Sequence, residues 1–164
     1  MSAFEIVEGY SPGCVGRIVE LHGKYYAEHQ GFGSFFEAKV ARELGEFCSC
    51  YVRGRDGLWI ARRAGSIEGS IAIDGSDPNC ARLRWFIVSD ELRGTGVGTN
   101  LIQAALDFCR SRGYARVRLV TFSTLSAAVH LYVKHGFALV FEERASNWGR
   151  EVIEQRYELV VSRE

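Results

Sequence analysis

One glycine-rich segment constrains the fold of this chain more than any other. It spans residues 92–98, with the sequence LRGTGVG, and lies between an apolar run and an amphipathic segment. Such a junction predicts that a strand passes into a helix, whose first backbone N–H groups have no partner within the helix and carry partial positive charge. Glycines let a ligand approach that backbone closely. The segment therefore predicts a site for a phosphorylated ligand.

Residue identities in this segment exclude two common nucleotide-binding patterns. A dinucleotide fingerprint, G-x-G-x-x-G, would need a third glycine where this chain has Thr99. A P-loop needs lysine after its last glycine, and here Thr99 follows Gly98. What remains is R-x-x-G-x-G over residues 93–98. Alone, this short pattern fits either a pyrophosphate loop or a tight strand-to-helix turn.

Composition places the chain among ordinary globular proteins. Its 164 residues, 47% of them hydrophobic, predict a single domain over residues 1–164. Twenty basic and twenty acidic residues cancel, so we expect neither nucleic acid nor a membrane surface as partner. The sequence lacks signal-peptide features, and its five scattered cysteines favour a reducing cytoplasm. Cys48 and Cys50 have no second ligand pair nearby, so no metal site is expected.

Hydrophobic periodicity predicts an α/β domain around one mixed sheet. Strands are expected at residues 4–8, 58–63, 67–74, 82–88, 117–122, 138–143 and 154–161, with helices at 11–29, from 34, at 97–112 and at 126–135. The strand–helix–strand order over residues 82–122 implies a parallel pair. Ser34 and Glu37 are expected to form a capping box. Four apolar residues from Trp85 predict a strand buried on both faces.

A second motif lies downstream of the glycine loop. Residues 125–137, LSAAVHLYVKHGF, follow the pattern L-x-x-A-x-x-L-Y-x-x-x-G-F. In this order and context, the two motifs resemble those of the GNAT superfamily of N-acetyltransferases, which bind acetyl-coenzyme A. The resemblance covers the whole chain and is strongest over residues 83–143. It implies a GNAT-like domain with about seven strands, about four helices and a splayed parallel strand pair.

Two further stretches resemble one subgroup of this family. Residues 22–26 and 148–152 are similar to the catalytic domain of regulators in which a MarR-type DNA-binding domain is fused to a GNAT domain. A chain of this length is expected to be the stand-alone catalytic module.

The resemblance implies which residues hold acetyl-coenzyme A and which act on it. The backbone of Phe86, Ile87 and Val88 would pair with the pantetheine arm. The pyrophosphate would be held by Arg93, Gly94, Thr95, Gly96, Val97, Gly98 and Thr99. The acceptor amine would attack the thioester directly in a ternary complex, with the Ile87 N–H stabilising the oxyanion. Tyr132 would then give a proton to the departing thiolate.

The general base is not fixed by the sequence. The strand 82–88 carries no carboxylate, so a base on that strand is excluded. Candidates on the first helix and the central strands are His22, Glu20, Glu28, Glu68 and Asp74. His22 is favoured because it falls on the inward stripe of its helix, and its alternative role is that of a hydrogen-bonded core histidine.

Two classes of function stay open at this point. The first is an N-acetyltransferase that acts on the primary amine of a small molecule or peptide. The family resemblance makes a homodimer of this chain plausible. The second is a non-catalytic acyl-coenzyme A sensor or interaction module that keeps the cofactor site. A DNA-binding regulator is disfavoured, because the chain is neutral and lacks a recognition-helix motif.

Overall fold

A computed structural model describes residues 3–161. Its elements in chain order are β1 (Glu5–Glu8), α1 (Cys14–Gln30), α2 (Ser34–Ser49), β2 (Gly57–Arg63), β3 (Ser66–Asp74), β4 (Cys80–Val88), α3 (Val97–Arg112), β5 (Arg116–Phe122), α4 (Ser126–Lys134), β6 (Ala138–Ala145) and β7 (Val152–Val160). A short 3₁₀ turn, Asp90–Leu92, connects β4 to the glycine loop.

The strands form one sheet in the order β1-β2-β3-β4-β5-β7-β6. Among the strands of residues 3–161, only β4 and β5 run parallel, and α3 connects them. Helices α1 and α2 bury one apolar cluster against one face of the sheet, and α3 packs a second cluster on the other face. These features confirm the predicted α/β fold, with seven strands, four helices and one parallel pair in the described residues.

The predicted capping box at the start of α2 is wrong. Gly33 is the cap residue, Ser34 is already helical, and no side chain caps this helix end. The Glu37 carboxylate instead lies against Gly23 of α1, where an added Cβ would collide with it. Glu37 therefore makes a contact between the two helices, whereas the local sequence predicted that it would cap α2.

A β-bulge interrupts β4 at Trp85. Arg84 pairs with Ala72 and Ile87 pairs with Ser70, so two residues of β4 oppose one of β3. Trp85 has a positive φ of 48°, and its carbonyl accepts a buried 2.7 Å hydrogen bond from Ser70 Oγ. The extra residue shifts the alternation of side chains. The prediction that the apolar run from Trp85 forms a strand buried on both faces is therefore wrong.

The parallel pair opens beyond its first residues. Pairing between β4 and β5 begins at Cys80 and Arg116 and ends at Arg82 and Arg118. Strand β5 continues to Phe122 while paired with β7, so β4 alone diverges. Backbone N–H groups on the open side of β4 have no ladder partner, which leaves them available to a ligand.

We expect Ser70→Ala to destabilise the protein by about 1–3 kcal/mol, because the Trp85 carbonyl would stay buried without its donor. Urea unfolding followed by circular dichroism measures this change. Ser111→Ala serves as the control, since Ser111 Oγ also donates to a backbone carbonyl but is exposed. Equal effects of the two substitutions would contradict the buried hydrogen bond.

Candidate active site

A cavity of about 610 Å³ lies where β4 diverges from β5. Its walls come from the end of β4, the glycine loop, the start of α3 and the start of α4, with two tyrosines of α1 on one side. The lining residues are Tyr25, Tyr26, Phe86, Ile87, Val88, Leu92, Arg93, Gly94, Gly96, Val97, Gly98, Thr99, Leu125, Ser126, Ala127, Ala128, His130 and Leu131. We call this space the first cavity.

The glycine loop folds as a site for an anion. Gly94 and Gly96 have φ values of 75° and 86°, the left-handed region that favours glycine. Gly96 precedes α3, and no side chain caps that helix end. The first N–H groups of α3 therefore face outward with their partial positive charge. Arg93 stands beside them, with its Nε 3.0 Å from Asp90 Oδ1 and its guanidinium 5.1 Å from the Tyr25 ring centre.

Nine of the ten residues predicted to hold the cofactor line this cavity. Thr95 is the exception among them. Its Oγ1 donates a hydrogen bond to the Leu92 carbonyl, which turns the side chain into the loop. Thr95 therefore shapes the loop that its neighbours present.

The bulge decides which N–H groups of β4 face the opening. The Trp85 carbonyl points toward β3, where it meets Ser70 Oγ. Carbonyl and N–H point in opposite directions across a trans peptide, so the Phe86 N–H points away from β3. Ser89 donates its N–H to Glu68 of β3, and alternation along the ladder then directs the Ile87 N–H to β3 as well. The register therefore directs the Phe86 N–H toward the opening and the Ile87 N–H toward β3.

A second cavity, of about 110 Å³, lies on the α1/α2 side of the opening. It shares Tyr26, Phe86, Leu125 and Ala128 with the first cavity, so these four residues mark the junction. Its remaining lining residues are His22, Phe36, Val40, Glu43, Arg82, Leu83, Arg84, Trp85, Leu119, Val120, Thr121, Phe122, Tyr132 and Trp148.

Tyr132 lines the second cavity rather than the first. Its ring centre is 5.9 Å from that of Phe86, the junction residue on β4. The side chain is 6% exposed, and burial raises the pKa of its hydroxyl above the ordinary value. Tyr132 therefore stays protonated at neutral pH and can donate a proton at this position.

His22 also lines the second cavity and is the general-base candidate that the structure brings to it. Its Nδ1 lies 2.8 Å from the Ile18 carbonyl, which makes Nδ1 the protonated nitrogen and leaves Nε2 as an acceptor. Burial lowers the pKa of the imidazole to about 4. His22 is therefore neutral at physiological pH.

The other candidate bases are engaged or exposed elsewhere. Glu20 pairs with Arg17 and Lys24 on the exposed side of α1, and Glu28 is exposed on the same helix. Glu68 pairs with Arg17 and accepts a hydrogen bond from Ser66. Asp74 lines a third cavity, of about 300 Å³, and not the second, although these two cavities share Glu43, Arg82 and Arg84.

A charged group at the second cavity was missed by the sequence analysis. Arg84 Nη2 lies 2.8 Å from Glu43 Oε2, and Arg82 lines the same space two residues earlier on β4. The sequence signal for this group was a pair of arginines at alternate positions of a buried strand. Charged side chains are rarely buried unless they are paired.

The low pKa of His22 makes stability depend on pH. A histidine whose pKa falls from 6.5 to about 4 on folding binds more protons when unfolded, so stability drops by about 3 kcal/mol as pH falls through that window. We expect unfolding measured from pH 7.5 to pH 4 to show this loss, and His22→Gln to remove it. A variant of exposed His130 should keep the wild-type slope, and equal slopes for all three proteins would contradict the assignment.

Residues 3–161 contain neither a metal-ligand cluster nor a membrane-spanning helix. No group of three or more His, Cys, Asp or Glu side chains could hold a metal ion. Along the same residues, no helix is both long and apolar enough to cross a membrane.

Comparisons with known proteins agree with this geometry. The family model described as Acetyltransferase (GNAT) family matches residues 18–137. N-acetyltransferase 8 of Rattus norvegicus is 33% identical over 119 residues, which are 69% of this chain and 54% of that protein. N-acetyltransferase 8 of Mus musculus is 36% identical over 91 residues, 52% of this chain and 40% of that protein. The chain thus spans about half the length of the curated relatives it matches.

Solved structures share the whole fold at low sequence identity. A GNAT-family acetyltransferase from Staphylococcus aureus superposes with a TM-score of 0.79 at 16% identity, covering 98% of this chain and 100% of that one. The Salmonella typhimurium protein yncA, solved with its cofactor acetyl-CoA, gives a TM-score of 0.76 at 14% identity, covering 99% and 96%. From the family model, which spans most of the sequence, we conclude that this chain belongs to the acetyltransferase (GNAT) family.

Proposed function

We propose that this protein transfers the acetyl group of acetyl-coenzyme A to a primary amine. The observation that carries the proposal is the opening between β4 and β5, which joins an anion-binding loop at one end to a cavity containing Tyr132 and His22 at the other. The curated relatives, named as N-acetyltransferases, support the same activity.

The residues around the first cavity fit acetyl-coenzyme A. The N–H groups at the start of α3 and the Arg93 guanidinium would hold the pyrophosphate, as they suit an anion. The unpaired N–H groups of Phe86 and Val88 would meet the amide groups of the pantetheine arm. When bound, the cofactor supplies an acetyl thioester whose acyl carbon an amine can attack.

We assign the oxyanion-stabilising N–H to Phe86 in place of Ile87. Phe86 lines both cavities, so its N–H lies at the junction where the two substrates would meet. Hydrogen bonding of Ser70 Oγ to the Trp85 carbonyl fixes the direction of that N–H before any ligand binds. A donor held in place costs no reorganisation during the reaction.

Tyr132 and His22 would handle protons on the acceptor side. Tyr132 would donate its hydroxyl proton to the departing sulfur. His22 Nε2 would accept a hydrogen bond from the incoming amine. Because its pKa is about 4, the imidazole is a weak base, so its main role would be to orient the amine while water carries the proton away.

We propose that transfer is direct, in a ternary complex. Within the described residues, no cysteine lines the first or the second cavity, which favours direct attack over an acyl-enzyme. Intersecting lines in initial-rate plots against both substrates would agree with this order. A cytoplasmic location, a homodimer, a small-molecule or peptide acceptor and the likeness to the MarR-fusion subgroup stay predictions.

We expect Tyr132→Phe to lower kcat about 10- to 100-fold, without abolishing turnover, because a thiolate of pKa about 8.5 is a tolerable leaving group. Thiol release in the presence of an accepted amine measures this. Tyr157→Phe is the matched control, since Tyr157 is equally buried and lies on β7 away from both cavities. Unchanged kcat in Tyr132→Phe across pH would remove the acid role.

We expect Arg93→Ala to weaken acetyl-coenzyme A binding about 10-fold or more, because it removes a charged donor from the anion site. Isothermal titration calorimetry measures the affinity. Arg110→Ala, at the opposite end of α3, should bind as the wild type does.

One assay on the wild-type protein distinguishes a transferase from a non-catalytic acyl-coenzyme A sensor. Acetyl-coenzyme A is mixed with a broad panel of amines, including amino acids, while free thiol is followed. Amine-dependent thiol release supports the transferase. Cofactor binding without such release across the panel would favour the sensor.

A further inference from the structure

We propose that the second cavity selects amines that carry a carboxylate, so that the acceptors are free amino acids rather than plain amines or amino-acid amides. This inference rests on the proposed acetyl transfer and concerns only the acceptor side of the site.

Arg82 is the first observation behind it. The side chain lies on β4 and lines both the second and the third cavity. No ion pair found within residues 3–161 includes Arg82, and burial lowers the pKa of its guanidinium. Asp74 lies opposite Arg82 in the ladder, and Glu43, Asp74 and Glu154 attract its guanidinium without forming an ion-pair contact, so its desolvation is offset only in part.

Glu43, the carboxylate that lines the second cavity, is already shared by two other cations. Glu43 Oε1 lies 3.0 Å from Lys39 Nζ, and its Oε2 lies 2.8 Å from Arg84 Nη2. Arg84 is also stacked over Trp85, with its guanidinium carbon 4.1 Å from the ring centre. These contacts hold Arg84 and Glu43 in place. With Arg82 and Arg84 facing Glu43 alone, the charged residues that line the cavity leave one positive charge in excess.

Trp148 supplies a second, independent observation. Its indole Nε1 is shielded from solvent and has no hydrogen-bond partner in the described part of the chain. Trp148 lines the second cavity, and its ring centre is 5.1 Å from that of Phe122. A shielded donor without an acceptor calls for an oxygen atom from elsewhere.

The size of the cavity sets where the carboxylate must be. About 110 Å³ corresponds to roughly four water volumes, which suits the amino and carboxylate end of an amino acid rather than a long amine. One end of this space is the junction at Phe86, and its wall also contains Arg82 and Trp148. An amine at the junction therefore has its carboxylate only a short distance behind it.

The test compares each of a panel of amino acids with its own amide. Binding is measured by calorimetry in the presence of desulfo-coenzyme A, and kcat/KM is measured with acetyl-coenzyme A. We expect at least one amino acid to exceed its amide about 10- to 100-fold in both measurements, the range for a hydrogen bond to a charged group. Amides that match or exceed every acid would overturn the proposal.

Variants locate the effect. Arg82→Gln should abolish the preference for acid over amide, chiefly through KM, and Arg82→Lys should restore part of it. Trp148→Phe keeps the ring, removes the N–H and should reduce the preference. Arg118→Gln is the control, because Arg118 pairs with Arg82 in register but is exposed. A preference that survives in both Arg82→Gln and Trp148→Phe would overturn the assignment. If Arg82→Gln fails to fold, the Arg82→Lys and Trp148→Phe variants decide.

Failure of this inference is distinct from failure of the transferase proposal. Thiol release with amides and plain amines, equal to that with acids, keeps the transferase and overturns the carboxylate preference. Absence of thiol release overturns the transferase, and the calorimetric comparison of acids with amides still decides the carboxylate preference.

Discussion

The single additional residue that β4 places opposite β3 is the constraint on which the site depends. It forces Trp85 into a positive φ, a conformation that side chains of this size rarely adopt. The hydrogen bond from Ser70 and the packing of Phe47, whose ring centre is 5.2 Å from that of Trp85, offset this strain. Because the Trp85 carbonyl then points to β3, the Phe86 N–H points away from β3 and toward the opening.

The same residue lets one strand serve two substrates. In a regular strand, residues 82, 84, 86 and 88 would share a face. Here Arg84 contacts Glu43 of α2, whereas Phe86 and Val88 pack against the cluster on the α3 side. Before the bulge, the strand therefore contributes charged side chains to the second cavity. After the bulge, it contributes apolar side chains to the wall of the first cavity. Divergence from β5 connects the two spaces.

Sequence reasoning predicted what depends on local pattern. The order of strands and helices, the parallel pair and the glycine loop follow from periodicity and from residues that favour one backbone conformation. It could not predict the bulge, because Trp85 is held there by Ser70, fifteen positions away. Sequence reasoning likewise could not predict that Glu37 contacts Gly23 of α1 instead of capping α2. The second cavity draws residues from α1 to the loop before β7, so no single window of sequence contains its pattern.

Burial and charge together explain how a site without a strong base can handle an amine. Burial keeps His22 deprotonated and Tyr132 protonated, so neither carries charge at neutral pH. The acceptor cavity keeps an excess of positive charge, because Arg82 and Arg84 line it with Glu43 as the one lining carboxylate. A nearby positive charge disfavours an ammonium ion and lowers its pKa, which raises the fraction of neutral amine. The charge that would attract a carboxylate would thus also help to free the nucleophile, and a weakly basic imidazole would suffice to orient it.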